Sequence, residues 1–377
     1  MYIIIEKKVL VKSLGKIHSV VERRNSIPIL ANVKLEALSN SVLLSVTDMD
    51  LYVVDEIDAT IQERGSVTMP VHTLFEIIKK LPDAASIEIK FNEDCIGDGA
   101  KIKSGAMECS LPVLSPEEFP SFMEIEYSNQ INFEAAKFLS LLTTTRYAIS
   151  TEETRYYLNG IFLHSFAKEE GKSVLRAVAT DSHRLAIAEI ELQENFDNIS
   201  GIIIPKKTVN ELIKLLEGVN SNIEINISSN RIMIIIDNLK LSSKLIDGKF
   251  PDYNKAIPAQ NNQLLEVDSK ALFGGIDLVT TISFDKTKAV KFNISTEKIA
   301  LSVHNNVNGS SKASQEIEAN YNSEPLEIAF NGKYVLDVLS VMKGSLVNFS
   351  VTNTNSAVLV KDAVDSSSMH IIMPMQV

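Results

Sequence analysis

The chain repeats one arrangement of strands and helices three times, and this repetition limits its possible folds more than any other feature. Each segment has a strand, a helix, further strands, a polar corner, a short loop, a second helix and more strands. The second helices align most easily, because each carries an apolar stripe at helical spacing. They begin at Val71, Lys206 and Asn331, a period of about 130 residues. Each repeat divides into two similar halves, so the sequence predicts an α+β fold of six half-repeats.

The predicted elements keep the same order in each repeat. The first helices are expected near residues 9–21, 134–147 and 269–281, and the second helices at 71–81, 206–217 and 331–342. Proline-containing loops at Pro116–Pro120 and Pro251–Pro258 are natural boundaries between domains. The sequence therefore predicts three domains, over residues 1–125, 126–258 and 259–377.

The polar corner of the second repeat lies within Val178–Ile187. The flanking stretches are β-branched and aliphatic, while Thr180, Asp181 and Ser182 are typical of a turn, which predicts a rigid hairpin. A solvated tip is its simplest interpretation. Asp181, Ser182 and His183 are residue types of a hydrolytic triad, but neighbours on a hairpin point to alternating faces, so we expect no catalytic site.

No metal site is expected either. Asp48 and Asp50, in the corner of the first repeat, could ligate a cation, but no third ligand is near and a polar turn is favoured. The six histidines show no ligand spacing, and Cys95 and Cys109 are too few for a zinc site or a disulfide framework. Apolar runs such as Ile232–Ile236 are far shorter than the about 20 residues that cross a bilayer. We expect a cytoplasmic protein without a cofactor.

The net charge of −11 argues at first against a nucleic-acid partner. The first helix is nevertheless basic on one face, because Lys8, Lys12 and Lys16 recur every four residues. The opposite stripe is apolar and is expected to be buried; it comprises Leu10, Leu14, Ile17 and Val21. A solvated surface helix fits this segment equally well.

A repeat of this kind has a geometric consequence. Six helices of about 10 Å diameter, side by side, close a circle too narrow for a duplex, whereas twelve from two chains leave a bore of roughly 28 Å. Sheets outside such a ring would have no exposed edge if a two-fold axis closed it. Lysines inside and acidic residues outside would reconcile the negative total with DNA binding.

Several ordered strings resemble the bacterial DNA polymerase III β subunits, the sliding clamps, and the resemblance covers essentially the whole chain. The most specific strings are Arg155–Gly160, Ala179–Ala186, Ser243–Tyr253, Tyr334–Leu339 and Met373–Met375. The resemblance implies three tandem repeats of the DNA-clamp fold, with helices inside and antiparallel sheets outside. It implies a head-to-tail homodimeric ring of six domains that encircles double-stranded DNA without a reaction of its own. The implied partners are the replicative polymerase, the clamp loader, and other replication and repair proteins.

The resemblance also implies a hydrophobic peptide-binding pocket. Its residues would be Leu158, Thr180, Ser182, His183, Arg184, Leu185, Pro251, Lys255, Ala256, Asn331, Tyr334, Met373, Pro374, Met375, Gln376 and Val377. Apolar side chains beside a few fixed polar groups suit a short extended peptide, and the corner is expected to present His183 and Arg184 at the rim. Some positions depart from the family pattern: Lys255 replaces an Arg, Gln376 and Val377 replace Arg and Leu, and Ser182 replaces a Gly.

For DNA, the resemblance implies contacts by Arg24, Tyr156 and Tyr157, with His72 replacing an Arg, and we add the stripe Lys8, Lys12 and Lys16. The loop with Glu152 and Glu153 is unexpectedly acidic. The family implies a dimer contact between Met107–Leu111 and Thr281–Phe284. The alternative is a repeat scaffold that binds peptides without encircling DNA, which the acidic total favours.

Overall fold

All six predicted helices are present in the computed structural model, which describes residues 1–92, 97–121, 126–127, 129–167, 173–192, 199, 201–259, 262–283, 288–305 and 311–376. The helices α1 to α6 are Lys7–Ile17, Val71–Lys80, Ala135–Thr145, Lys206–Leu216, Ser269–Thr280 and Gly332–Leu339. The last helix ends before the predicted residue 342. The predicted third-repeat corner runs into residues 306–310, outside the described part.

The strands also follow the predicted order. Those of the first repeat, β1 to β9, are Tyr2–Glu6, Asn32–Ala37, Ser41–Thr47, Leu51–Asp58, Thr60–Glu63, Gly65–Pro70, Ser86–Lys90, Ala100–Ser104 and Met107–Leu111. In the second, β10 to β17 are Asn129–Glu134, Gly160–Ala167, Ser173–Thr180, Arg184–Glu191, Ile202–Pro205, Asn222–Ile227, Arg231–Ile236 and Leu239–Lys244. In the third, β18 to β25 are Gln263–Asp268, Ala289–Ser295, Lys298–Asn305, Ser311–Tyr321, Leu326–Asn331, Leu346–Val351, Val358–Asp362 and Ser368–Ile372.

One compact unit comprises Met1–Leu139 and Asn210–Leu245. Its two sheets have the orders β5-β1-β7-β8-β9 and β10-β15-β16-β17-β4-β3-β2-β6. The larger sheet joins two groups of four antiparallel strands, one from each of two repeats. The seam between them pairs β17 with β4, with Ser243 opposite Leu51.

The other unit comprises Ser140–Val209 and Ile246–Val377. Its strand order is β14-β11-β12-β13-β25-β24-β23-β18-β21-β20-β19-β22, which contains three successive groups of four. The seam between the second and third repeats pairs β13 with β25, with Arg184 opposite Ile372. Repeated groups of four antiparallel strands confirm the predicted half-repeats and the α+β class.

The predicted apolar stripes fix the helices to the sheets. Leu10, Leu14 and Ile17 of α1 have no exposed area, and neither do Leu74 and Ile78 of α2. Burying one such side chain stabilises the fold by about 1.5–3 kcal/mol. Among the described residues, no helix is long and apolar enough to cross a membrane.

Candidate functional site

The corner of the second repeat is a hairpin tip held by its own polar side chains, as predicted. Thr180 Oγ1 donates to the Arg184 carbonyl at 2.7 Å and accepts the Ser182 N–H at 3.1 Å. Asp181 Oδ1 accepts the N–H groups of His183 and Arg184, both at 3.0 Å. Ser182 has a φ of 75°, where an L-residue is strained and glycine is not. These hydrogen bonds fix the hairpin tip, where the His183 side chain is exposed to solvent.

Arg184 is an internal tie and not the rim residue that we expected. Only 9% of it is exposed, and its guanidinium donates to Asp181 at 2.9 Å, to Asp337 of α6 at 2.5 Å and to the Tyr147 carbonyl at 2.7 Å. It also lies 4.3 Å from the centre of the Tyr334 ring. Burial lowers the pKa of Arg184, but Asp337 and Asp181 outweigh burial and raise it. Arg184 therefore stays charged and fixes the corner to α6.

Tyr147, whose carbonyl accepts from Arg184, also forms a buried pair with His370. His370 on β25 has no exposed area, and its Nδ1 lies 2.8 Å from the Tyr147 hydroxyl. Burial lowers the pKa of His370 to about 4 and raises the pKa of Tyr147. In the neutral imidazole of His370, Nδ1 accepts the hydrogen bond of the Tyr147 hydroxyl. The Nε2 atom is buried and has no hydrogen-bond partner.

The C-terminal residues lie against the corner. The Met373 N–H donates to the His183 carbonyl at 2.9 Å, and the Met375 N–H donates to the Ala329 carbonyl at 2.9 Å. Met373 is 43% exposed, Pro374 and Met375 are half-buried, and Gln376 is exposed. The predicted Val377 lies outside the described residues. The tail thus links the corner to β22 and offers methionine side chains to solvent.

The other described residues that were predicted for the pocket lie in the same unit as the corner. Leu158 and Leu185 belong to a buried cluster with Phe250 and Tyr253. Pro251, Lys255 and Ala256 are exposed on the loop that follows. Asn331 Oδ1 caps α6 by accepting the Lys333 N–H at 3.0 Å, and the Tyr334 ring stacks 6.3 Å from that of His183. We call the sixteen predicted pocket residues the second-repeat surface.

A cavity of about 730 Å³ adjoins this surface and shares His183, Arg184 and Tyr334 with it. Its other charged lining residues are Arg146, Glu152, Asp181, Lys206, Lys333 and Asp337. Sequence reasoning did not single out Asp337, Tyr147 or His370. The signal for Asp337 was available, since it is the acidic residue within the apolar string Tyr334–Leu339.

The proposed DNA-contact residues divide between the two units. In the first unit Arg24, Lys8 and Lys12 are exposed. Lys16 Nζ lies 3.8 Å from the buried Asp55 carboxylate, and His72 Nε2 is bonded to the Val21 carbonyl at 2.8 Å. In the second unit Tyr156 is 54% exposed and Tyr157 is half-buried.

The lysine stripe shares a groove with acidic residues. Lys8, Lys12 and Lys16 line it together with Asp55, Glu56, Asp58 and Asp237. This arrangement was not foreseen, because the acids lie on β4 and after β16, far along the chain. It offsets much of the positive charge locally.

In both corners, the residues considered for a hydrolytic triad or a metal site are engaged in other hydrogen bonds. Asp181 is occupied by backbone N–H groups and by Arg184, and the Ser182 hydroxyl accepts from Arg155 at 2.7 Å. Asp48 likewise accepts two backbone N–H groups, as a polar turn requires. Within the described part of the chain, no three His, Cys, Asp or Glu side chains are grouped as metal ligands. Cys95 lies outside that part, and Cys109 is a half-buried free thiol.

Comparisons with known proteins match the chain along its full length. Family models of the DNA polymerase III beta subunit match residues 1–123 (N-terminal domain), 132–252 (central domain) and 254–376 (C-terminal domain). A beta sliding clamp from Caulobacter vibrioides is 40% identical and one from Rickettsia felis is 35% identical, each covering 100% of this chain and at least 99% of the relative. The crystal structure of a sliding clamp from Bartonella birtlesii bound to griselimycin has a TM-score of 0.95 at 37% identity, with 100% of both chains covered.

Proposed function

We propose, from the premise that this chain belongs to the bacterial DNA polymerase III β subunit family over all three repeats, that it is a sliding clamp and DNA polymerase processivity factor. It is a non-catalytic accessory subunit of the polymerase. The family match over the full length carries this proposal, and the repeated groups of four strands support it. The proposed domain boundaries remain 1–125, 126–258 and 259–377; the matches at 1–123 and 132–252 fall within the first two domains, whereas the C-terminal match begins at residue 254, before the proposed third domain.

The active form is a head-to-tail homodimeric ring around double-stranded DNA. Support comes from β9, the last strand of the five-stranded sheet, which leaves one edge without a partner among the described strands. On α5, Leu278 is 61% exposed and Phe273 is 39% exposed, next to the proposed contact segment Thr281–Phe284. Phe284 lies outside the described residues. In a head-to-tail arrangement, the free sheet edge of one subunit would meet the exposed apolar side chains of the next.

Weak contacts with the DNA phosphates attract the ring to the duplex but still allow it to slide. The proposed DNA-contact residues are Arg24, His72, Tyr156, Tyr157, Lys8, Lys12 and Lys16. Tight ionic binding would immobilise the ring, whereas a few exposed cations opposed by nearby acids give a shallow, salt-sensitive attraction. The protein works in the cytoplasm, needs no cofactor, and is placed on DNA by a clamp loader.

The second-repeat surface docks peptides of the replicative polymerase and of other replication and repair proteins. The exposed Met373 and the buried wall of Leu158 and Leu185 suit apolar anchors, while His183 and Asn331 supply polar contacts. Methionine side chains adapt to differing anchors, as a shared docking surface requires.

Retention on DNA of different topology tests the function. Labelled protein is loaded onto nicked circular DNA by a clamp loader, washed with high salt, and counted before and after one cut with a restriction enzyme. A sliding ring stays on the circle through the wash and is lost after linearisation. A peptide scaffold that does not encircle DNA, which the acidic groove beside the lysine stripe would favour, shows the same low retention on both forms.

A further inference from the structure

The first repeat contains a corner with the same hydrogen-bond frame as the second. Thr47 Oγ1 donates to the Leu51 carbonyl at 2.9 Å and accepts the Met49 N–H at 3.0 Å. Asp48 Oδ1 accepts the N–H groups of Asp50 at 3.0 Å and Leu51 at 2.7 Å. Met49 has a φ of 81°, close to that of its counterpart Ser182. The two corners are therefore equivalent in backbone geometry.

The end of the seam strand meets both corners in the same way. In the first unit the N–H of Lys244, the last residue of β17, donates to the Asp50 carbonyl at 2.8 Å. In the second unit the Met373 N–H donates to the His183 carbonyl at 2.9 Å, directly after β25. The equivalence thus extends from the corner to the segment that lies beside it.

An apolar wall accompanies the first corner as well. Ile29, Leu30 and Phe119 are buried together, with Tyr52 and Leu114 packed against them. By chain position relative to the strands, Leu30 and Tyr52 correspond to Leu158 and Leu185. Phe119 corresponds to Phe250, because each directly precedes a proline in the loop after the last strand of its repeat. We call Ile27, Leu30, Met49, Tyr52 and Phe119 the first-repeat surface.

The rim of the first-repeat surface is apolar where that of the second is polar. Ile27 is 50% exposed and Met49 is 51% exposed. Their counterparts, Arg155 and Ser182, are hydrogen-bonded to each other at 2.7 Å. At the positions where the second repeat has this polar pair, the first repeat therefore has two half-exposed apolar side chains, one of them an adaptable methionine.

The charge next to the wall is opposite in the two repeats. Glu117 and Glu118 are exposed and directly precede Phe119. At the corresponding positions before Phe250, the second repeat has Gly248 and the exposed Lys249. An acidic border favours a ligand with positive charge, and it disfavours the acidic segments that a lysine would attract.

We propose that the first-repeat surface is a second peptide-docking site, which takes a short extended segment with apolar side chains flanked by lysine or arginine. The inference rests on the proposed function, because it takes the second-repeat surface to be a docking site. Apolar anchors enter between Ile27, Met49 and the wall, while basic flanks lie against Glu117 and Glu118. One protomer thus carries two surfaces of the same frame with different charge preferences.

Methyl NMR of the full-length protein labelled at its methionines tests the proposal, since Met49 reports on the first-repeat surface and Met373 on the second. Met49→Leu and Met373→Leu assign the two signals. The probe is a synthetic eight-residue peptide with two leucines and a phenylalanine between flanking lysines; its twin carries glutamates in place of the lysines. A third peptide, with a glutamine and apolar anchors, probes Met373 separately.

The lysine peptide is expected to shift the Met49 signal saturably, with an affinity that falls on the order of tenfold in the double variant Glu117→Lys, Glu118→Lys. Lys249→Glu, the matched change in the second repeat, should leave that affinity unchanged. A Met49 signal that does not move up to about 1 mM peptide, or that moves equally with both twins, overturns the proposal. If the glutamine peptide does not shift the Met373 signal, the proposed function of the second-repeat surface is wrong. This result is independent of the Met49 signal, so a failure of the proposed function can be told from a failure of the second site.

Discussion

Acidification should destabilise the second unit through His370, which is buried beside Tyr147. The folded protein holds the pKa of His370 at about 4, against an ordinary value of 6.5 that the unfolded chain recovers. Between pH 6.5 and pH 4, His370 is protonated in the unfolded state but stays neutral in the folded state. The stabilising contribution is therefore complete above pH 6.5 and is lost as the pH falls toward 4. At about 1.4 kcal/mol per pH unit, the full loss is about 3 kcal/mol, of which about 2 kcal/mol falls between pH 7.5 and 5.

The substitution His370→Gln isolates this contribution, because glutamine can still accept from Tyr147 but does not titrate. The free energy of unfolding in urea is measured at pH 7.5 and pH 5 for both proteins. Burial also lowers the pKa of His18 and His164, so the parent loses further stability by the same route and only the difference between the proteins is informative. We expect the variant to lose about 2 kcal/mol less than the parent. The same change at the exposed His183 is the matched control for replacing a histidine by glutamine. Equal losses in the parent and in His370→Gln would refute the reasoning.

Three further changes test the surfaces and the tie. A chain ending at Ile372 should lose binding to a polymerase-tail peptide, measured by calorimetry, while sedimentation still finds the dimer; unchanged affinity would count against the docking role of the tail. Replacing Lys8, Lys12 and Lys16 by Glu should shorten retention on circular DNA, and parental retention would place the DNA contacts elsewhere. Arg184→Met should cost on the order of 3 kcal/mol in urea unfolding, because it leaves the carboxylates of Asp181 and Asp337 without their cation; a loss well below 1 kcal/mol would show that the tie contributes little.

The helices and the corner could be predicted from the sequence because their determinants are local. The stripe of Leu10, Leu14 and Ile17 lies within two turns of one helix, and Thr180 and Asp181 bond within four residues of their own backbone. Such local patterns determine the helix or the turn independently of the rest of the fold. The resemblance then supplied the candidate surface, whose described residues lie in one unit.

Contacts between distant parts of the chain could not be predicted in this way. The Arg184 side chain was expected at a rim because the resemblance includes it in the peptide pocket, but it is buried and donates to Asp337, which lies 153 residues away. Asp55 meets Lys16 only after β4 has folded against α1. Helical periodicity gives the face of each lysine but not what lies opposite it, so the offsetting acids became apparent only in the fold.

The central claim is that two of these chains close into a ring, and imaging the purified protein by electron microscopy tests it most directly. We expect class averages of a closed annulus built from two chains, with a central opening on the order of 30 Å. An open crescent, or a solid particle without a central passage, would contradict the account.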